Sequence, residues 1–355
     1  YSELIKNILE LKREFPRSIF LLSLSGNIYS NLGNYEKSIE SFKEIIEIDK
    51  NNSDAYYNLG IIYKTIKEFD NSIINYNKCI EINPYKFEAY NNLGNIYRDK
   101  NKTKLAIDKY IQCLEINPNY TIALQNFGVC LQNFRFSKSS KVIDRNILNL
   151  LKKNNILRPF DIIQNLIEYL YLNPKILSIT NNLEILDKKY SLDELINEIL
   201  NLKILVLLLK ITPITDLKLE KIIKYLRKNI LLNIISIKDK EKALELMGAI
   251  ASQCFINEYI YSHENVELNA LTKIKKKIYS NFDQKLYNDN SLLITCLAAY
   301  KSLNLYKFPI KILDIECISD LIKNQISDPK KEQQLKEELL STKIENFISL
   351  KVKKQ

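Results

Sequence analysis

The side chains best suited to chemistry in this 355-residue chain are one histidine and six cysteines. His263 is the sole histidine, and Asn257, Glu258 and Glu264 are its polar neighbours in sequence. One imidazole cannot build a two-histidine metal site, and Cys254 is not spaced to complete one. We therefore expect Asn257 and Glu258 to make buried hydrogen bonds or an interdomain contact, and not to act with His263 in catalysis.

The cysteines also favour a structural role. No two of them form a CxxC pair, and the chain is too long and too poor in cysteine for a disulfide scaffold. We expect reduced, mostly buried thiols in a cytosolic protein and no metal site. The six residues are Cys79, Cys113, Cys130, Cys254, Cys296 and Cys317.

The scarcity of glycine excludes a further class of chemistry. A nucleotide or S-adenosylmethionine site of the doubly wound kind needs a glycine-rich turn after its first strand. After Gly128 the sequence contains one glycine, Gly248, which lies in the middle of a predicted helix. We therefore expect no cofactor and no enzyme activity within these residues.

Residues suited to binding are more evident in the sequence than residues suited to catalysis, because three asparagines recur at a spacing of 34 residues. An amide both donates and accepts hydrogen bonds, so such a ladder can pair with a peptide backbone of any sequence. Tyr57 adds a flat contact surface, while Lys64 and Arg98 could hold a carboxylate. The alternative is that asparagine is simply abundant here and the side chains are solvated. The predicted peptide-binding residues are Tyr57, Asn58, Lys64, Asn91, Asn92, Asn95, Arg98 and Asn126.

The same period runs through the residues that must position this ladder. It predicts units of two antiparallel helices, in which a glycine and a small residue allow close approach, an aromatic fills the space between pairs and a proline ends the second helix. The glycines are Gly26, Gly60, Gly94 and Gly128; the small residues are Ser38, Ser72, Ala106 and Ser140; the aromatics are Phe42, Tyr76 and Tyr110; the prolines are Pro16, Pro84 and Pro118.

Residues 90–97 (YNNLGNIY) followed by 115–118 (EINP) closely resemble the signature of the tetratricopeptide repeat. This resemblance implies an all-α solenoid, a right-handed superhelix of helix pairs whose first helices line a concave binding face. The full units are 19–52, 53–86 and 87–120, with partial units at 1–18 and 121–153. The ladder also looks like the one in the repeats of O-linked N-acetylglucosamine transferases, which binds extended peptides.

The period is lost in residues 154–355, which are predicted to form an all-helical domain. Capping boxes are predicted at Ser191–Glu194 and Thr342–Glu345, and Asp216 is a predicted N-cap. The other predicted helices are 160–172, 191 to about 210, 216–235, 240–261, 266–279, 291–303 and one beginning at Ser327-Asp-Pro329.

Four strings in this half resemble the central region of a bacterial family in which the repeats and a helical middle segment precede a class I S-adenosylmethionine-dependent methyltransferase domain. They are residues 212–216 (TPITD), 254–259 (CFINEY), 298–303 (AAYKSL) and 352–355 (VKKQ). The resemblance implies a methyltransferase arm with a catalytic domain C-terminal to it in the same parent chain. Because the sequence given stops before such a domain, no catalytic residue is carried over.

Charge and hydropathy restrict the partners. The net charge of +10 comes mainly from lysines spread along the predicted helices, which is typical of an AT-rich genome and makes a nucleic-acid partner unlikely. No apolar run is long enough for a membrane span. The sequence therefore predicts a cytoplasmic region that binds a protein or peptide and belongs to a larger chain, since it begins inside a repeat. A freestanding scaffold, or the repeat arm of an N-acetylglucosamine-type glycosyltransferase, is the alternative.

Overall fold

A computed structural model describes residues 10–153, 155–280, 287–306 and 319–331. Every regular element within these ranges is a helix, which confirms the all-α prediction. No helix in this part of the chain is long and apolar enough to cross a membrane. Several predicted features lie outside these ranges: most of the partial unit at 1–18, Cys317, the capping box at Thr342 and the C-terminal string 352–355.

The chain divides into two compact units, Tyr1–Asn165 and Leu166–Gln355, which we call unit 1 and unit 2. The loss of the 34-residue period places the predicted boundary slightly earlier, after residue 153. Unit 1 contains α1 (Ile19–Asn31), α2 (Tyr35–Ile48), α3 (Ser53–Thr65), α4 (Phe69–Ile82), α5 (Phe87–Asp99), α6 (Thr103–Ile116), α7 (Thr121–Leu131) and α8 (Lys141–Lys152).

The helices of unit 1 form stacked pairs, and each pair packs on the next one. The turn inside each of the first three pairs contains one residue with a left-handed backbone. These residues are Gly33, Lys67 and Asn101, with φ of 75°, 64° and 57°. Glycine and asparagine tolerate this conformation well, whereas the lysine side chain makes it less favourable. The turns therefore repeat in the same register as the helices.

The glycines lie where the helices of one pair touch. A Cβ added to Gly60 would lie 2.6 Å from Cε1 of Tyr76, and one added to Gly94 would lie 2.5 Å from Cε1 of Tyr110. Only glycine fits at such distances unless the ring moves. The prediction of close approach is therefore confirmed, although the rings pack directly on the glycine of their own pair as well as against the next first helix.

In the units that contain Ser38 and Ser72, the small residue does more than leave space, whereas Ala106 has no hydroxyl and Ser140 instead caps α8. The hydroxyl of Ser72 donates to the Gly60 carbonyl at 2.6 Å, and that of Ser38 donates to the Gly26 carbonyl at 2.7 Å. Each bond is buried, and it fixes the second helix against the first by a polar contact that the spacing alone does not predict.

Unit 2, together with the helix that crosses the unit boundary, contains α9 (Ile163–Leu170), α10 (Pro174–Asn181), α11 (Leu186–Lys189), α12 (Leu192–Asn201), α13 (Lys203–Ile211), α14 (Leu217–Leu232), α15 (Lys240–Ile256), α16 (Asn265–Ser280), α17 (Tyr287–Ala298) and α18 (Ser319–Ile322). The helix α15 contacts α12, α13, α14 and α17. It is buried along several faces, so it forms the centre of this unit.

The predicted starts and ends of helices in unit 2 are partly confirmed. Ser191 and Glu194 form the capping box, and the Asp216 side chain caps α14. The helix predicted from Ser191 to about Lys210 is wrong, because it is interrupted at Leu202. The helix predicted over 160–172 is shorter, at Ile163–Leu170, and Pro174 begins α10, which was not among the predicted helices.

The helix predicted to begin at Ser327-Asp-Pro329 begins earlier. The chain is already helical from Ser319, and a π-helical turn at Lys323–Ser327 leads into residues 328–331. Pro329 donates no hydrogen bond to the turn before it, so a helical turn of altered pitch is tolerated there. The proline therefore follows a distortion inside the helix and does not mark its start.

Candidate peptide-binding face

The three ladder asparagines lie at the same place on successive first helices: Asn58 on α3, Asn92 on α5 and Asn126 on α7. Each comes two residues before a glycine that lies at or close to the contact with the second helix of its pair. This contact fixes how the first helix is rotated about its own axis. We call the surface formed by the eight predicted binding residues the asparagine face. All three asparagines are half-buried.

Hydrogen bonds join neighbouring steps of this face. The Asn92 side-chain amide donates to the Tyr57 hydroxyl at 3.4 Å, and the Asn126 side-chain amide donates to Oδ1 of Asn91 at 3.0 Å. The Arg98 guanidinium in turn donates to Oδ1 of Asn126 at 2.9 Å. Both the donor and the acceptor of the Asn126 side-chain amide are therefore engaged within the protein, and these bonds hold α7 against α5.

Asn91 does not lie open on the face as predicted. It is only 4% exposed, and its carbonyl is the acceptor for Asn126. The residue immediately before a ladder asparagine is turned by about 100° around the helix, since an α-helix has 3.6 residues per turn. In α5 this rotation places Asn91 in the packed layer beneath the face.

The tyrosines behind the face differ in whether their hydroxyls are paired. The Tyr110 hydroxyl donates to the side-chain Oδ1 of Asn95 at 2.9 Å. Tyr76 is the equivalent residue one unit earlier, but Ile61 stands where Asn95 would be needed. The buried Tyr76 hydroxyl makes no hydrogen bond of normal geometry within the described residues, although the nearby Asn92 amide lowers its pKa against the larger effect of burial. Burial raises the pKa of both phenols above the ordinary value, so both remain protonated.

The charged side chains of α3 and α5 separate along the helices. Asp54 and Glu88 lie in the first turns, whereas Lys64 and Arg98 lie in the last turns, together with Asp99 at the end of α5. Desolvation lowers the pKa of half-buried Lys64, and the neighbouring charge of Arg98 lowers it further, while Asp99 opposes the shift. No carboxylate lies within ion-pair distance of Lys64 in the described structure.

Tyr57 is partly covered by neighbouring side chains of unit 1. The Lys86 ammonium lies 4.9 Å from the centre of the Tyr57 ring and also pairs with Asp54 at 2.9 Å. Burial, then the charge of Glu88, raises the pKa of Tyr57. One side of the ring is therefore engaged by a cation, and its hydroxyl accepts from Asn92.

The candidates in unit 2 form no catalytic arrangement among the described residues. His263 and Glu258 are exposed, so the expected buried hydrogen bond of Glu258 is wrong, whereas Asn257 donates to the Tyr261 hydroxyl at 2.9 Å in a partly buried bond. No set of three His, Cys, Asp or Glu side chains there could hold a metal ion. The described cysteines are free and buried, and burial raises the pKa of Cys254 to about 11.

Sequence reasoning missed a buried charged group in unit 2. Arg227 is 1% exposed, lies 3.6 Å from the Glu267 carboxylate and donates to the Ser262 carbonyl at 2.7 Å. Its guanidinium also lies 4.1 Å from the centre of the Tyr300 ring, and the Tyr300 hydroxyl donates to Glu267. The signal was present in the sequence, because Arg227 falls on the apolar side of α14, four residues after Ile223.

Comparison with known proteins identifies the repeats. Family models for the tetratricopeptide repeat match residues 26–67, 53–86 and 87–120, so the chain contains tetratricopeptide repeats in the predicted register. Repeats of this kind are typical of protein-binding and peptide-binding scaffolds. No curated protein matches the chain significantly.

Solved structures resemble part of the chain. A crystal structure of MamA is 21% identical, with a TM-score of 0.36, and the match covers 46% of this chain and 87% of that one. YrrB, described as a tetratricopeptide repeat protein with an unusual peptide-binding site, is 16% identical with a TM-score of 0.35, covering 56% and 95%. The first repeat domain of Spaghetti (RPAP3), bound to an HSP90 peptide, is 24% identical with a TM-score of 0.31, covering 32% and 90%.

Proposed function

We propose that the repeats bind an extended segment of a partner protein along the asparagine face, and that the residues of this chain catalyse no reaction themselves. The observation that carries the proposal is the recurrence of half-buried amides at one place on successive first helices. Packed helices lie about 8–10 Å apart, and an extended peptide advances about 3.3 Å per residue. One amide therefore meets the ligand backbone about every third residue.

The choice of amides supports a backbone ligand. Asn58 and Asn92 each offer a donor and an acceptor, which matches the alternating groups of a peptide chain. An ionised side chain at these places would demand a charged partner at every step. The asparagine face therefore suits a ligand recognised first by its extended backbone and only secondarily by its side chains.

Affinity capture from cell lysate tests the proposal. The chain is compared with an Asn58→Ala/Asn92→Ala variant and with an Asn71→Ala/Asn75→Ala control, which removes two amides from α4. We expect a partner that the parent and the control retain and that the face variant loses. Equal retention of every captured protein by all three would refute binding through the asparagine face.

The relation of unit 2 to a larger enzyme is a finer proposal. We propose that it belongs to the helical middle region of a methyltransferase arm, and its support is the sequence resemblance of the four strings. Two of these strings touch in the structure, where the Tyr259 hydroxyl donates to the Ala298 carbonyl at 3.2 Å. A methyltransferase domain encoded directly downstream of residue 355 would agree, whereas a stop codon or another domain there would favour the freestanding scaffold or a glycosyltransferase arm.

A further inference from the structure

Unit 2 contains a cavity of about 350 Å³ between three of its helical segments. Its walls come from the end of α13, the second half of α15 and the segment 319–331. It therefore shares no residue with the asparagine face. Cavities of this size can accept a small organic molecule. The lining residues that matter for such a ligand are Lys210, Ser252, Phe255, Leu321, Asn324 and Asp328.

The wall formed by the segment 319–331 is held in place by a buried glutamine. Gln325 is 0% exposed, and its side-chain amide donates to the Ala298 carbonyl at 3.4 Å and accepts from the Leu303 backbone N–H at 3.0 Å. It lies in the π-helical turn Lys323–Ser327, and turns of this kind are frequent at functional sites. Because these bonds use the Gln325 amide, this residue shapes the cavity and leaves ligand binding to its neighbours.

Three polar side chains of different kinds remain available around the cavity. The Lys210 ammonium can only donate, the Asp328 carboxylate can only accept, and the Asn324 amide can do both. None of the three makes a side-chain hydrogen bond or an ion pair with a described residue. Lys210 and Asp328 thus line one cavity without neutralising each other, and each can pair with a ligand group of opposite charge.

The rest of the lining is largely apolar. Phe255 is half-buried on α15, and Leu321 is 5% exposed on α18. The Ser252 hydroxyl donates to the Gly248 carbonyl at 3.0 Å, so towards a ligand it can only accept. A molecule that fills the cavity must therefore cover apolar surface as well as engage the two opposite charges.

We infer that this cavity binds a small zwitterion with an apolar body, whose carboxylate pairs with Lys210 and whose ammonium group pairs with Asp328. An apolar amino acid and a dipeptide of apolar residues both have this chemistry, and they differ in the separation of their charges. A ligand with a single charge would engage only one of the two side chains. The inference goes beyond the proposed function, because it concerns a different ligand at a different surface.

Isothermal titration calorimetry on the full chain tests the inference. The probes are free leucine, free phenylalanine and dileucine, each compared with its N-acetylated and its C-amidated form. Lys210→Met and Asp328→Asn each remove one charge from the cavity, and both side chains are exposed, so the variants should fold. Lys203→Met on α13 and Asp320→Asn on α18 are the controls, because they remove the same charges from exposed side chains that do not line the cavity.

We expect at least one free probe to bind, and both of its capped forms to bind at least tenfold more weakly. Lys210→Met should no longer distinguish the free form from the amidated one, and Asp328→Asn should no longer distinguish the free form from the acetylated one. The two controls should bind like the parent. Bound probe should slow hydrogen–deuterium exchange in residues 319–331, and the tighter of the amino acids and dileucine identifies the ligand class.

Several results would overturn the inference. One is the failure of the folded parent to bind any of the probes. Another is an affinity that capping leaves unchanged, or that neither Lys210→Met nor Asp328→Asn weakens. Exchange protection confined to unit 1 would place the probe on the asparagine face and would equally contradict a site at this cavity. The proposed function stands or falls separately, since its test uses variants of Asn58 and Asn92.

Discussion

The hydroxyls of Tyr76 and Tyr110 occupy equivalent places in successive repeats, yet deleting them should change stability in opposite directions. Tyr110→Phe removes a hydrogen bond of 2.9 Å to Asn95, and such a bond contributes about 1 kcal/mol. Tyr76→Phe removes a fully buried hydroxyl that makes no hydrogen bond of normal geometry in the described structure, although the Asn92 amide lies near it. Burying an unpaired hydroxyl costs about 1–3 kcal/mol, so this variant should gain about 1 kcal/mol.

The two variants should therefore separate by about 2 kcal/mol. Urea unfolding followed by far-ultraviolet circular dichroism measures the difference. With an m-value of about 1–3 kcal/mol/M, the midpoints should differ by about 1 M. The ring is kept in both variants, so the packing on Gly60 and Gly94 is unchanged and the comparison isolates the hydroxyl.

A third variant supplies the missing partner. Ile61→Asn places an amide at the position that Asn95 holds in the next repeat. Its effect on the free energy of unfolding should therefore be more favourable in the parent, where the Tyr76 hydroxyl is present, than in the Tyr76→Phe background. A coupling of about 1 kcal/mol between the two positions would establish the hydrogen bond. Equal destabilisation by Tyr76→Phe and Tyr110→Phe would refute the reasoning, because it would mean that the Tyr76 hydroxyl is already satisfied.

Three further predictions concern packing, charge and pH. Gly94→Ala should destabilise by about 1–3 kcal/mol, because its Cβ would lie 2.5 Å from a buried ring, whereas Gly248→Ala meets no atom within 4 Å and should stabilise by about 0.5–1 kcal/mol; thermal unfolding compares the two. Arg227→Met should cost about 3 kcal/mol by leaving the buried Glu267 carboxylate without its cation, and a urea midpoint equal to that of the parent would contradict this. Burial raises the pKa of Cys254 to about 11. Because the ordinary pKa is about 8.5, this thiol ionises in the unfolded chain before it ionises in the folded one, so its contribution to stability is complete below the ordinary pKa and is lost as the pH rises toward 11. The stability of Cys254→Ala should decline less than that of the parent over this interval, and parallel declines would contradict the assignment.

The repeat architecture could be predicted from sequence because its determinants are periodic. The glycine and aromatic positions recur in register, and the close contacts at Gly60 and Gly94 are those that the period requires. The fourth unit departs from this pattern where Asp144 replaces the aromatic. There Leu150 and Leu157 lie 3.2 Å from the place of a Gly128 Cβ, which is a looser contact than a ring makes in the earlier units.

The state of each ladder residue could not be predicted, because it depends on pairs of side chains from different repeats. Asn58, Asn92 and Asn126 are identical in type and register, yet only Asn126 has both ends of its amide engaged. The difference comes from Arg98, whose equivalent on the preceding first helix is a lysine. The unpaired Tyr76 hydroxyl similarly follows from Ile61 opposite it, a mismatch visible in sequence only when the two repeats are aligned.

In unit 2 the absence of a period removed the information that fixes helix ends. Local capping residues such as Ser191 and Asp216 were sufficient where a side chain bonds the first turn. The break at Leu202 has no glycine or proline to mark it, so it is decided by tertiary packing. The buried Arg227 shows the same limit, since its partner Glu267 lies on another helix.

Site-specific photo-crosslinking in cells tests the central claim most directly. A photoreactive amino acid replaces Val129, which is 41% exposed and holds on α7 the place that Asn95 of the asparagine face holds on α5, or Leu105, which is 43% exposed on the second helix α6 and serves as the matched control. The proposed function predicts a crosslinked protein partner from Val129, its loss when Asn58→Ala is added, and none of the same partner from Leu105. Crosslinking of that partner from Leu105 alone, or equally from both positions, would place the binding surface elsewhere and contradict the account.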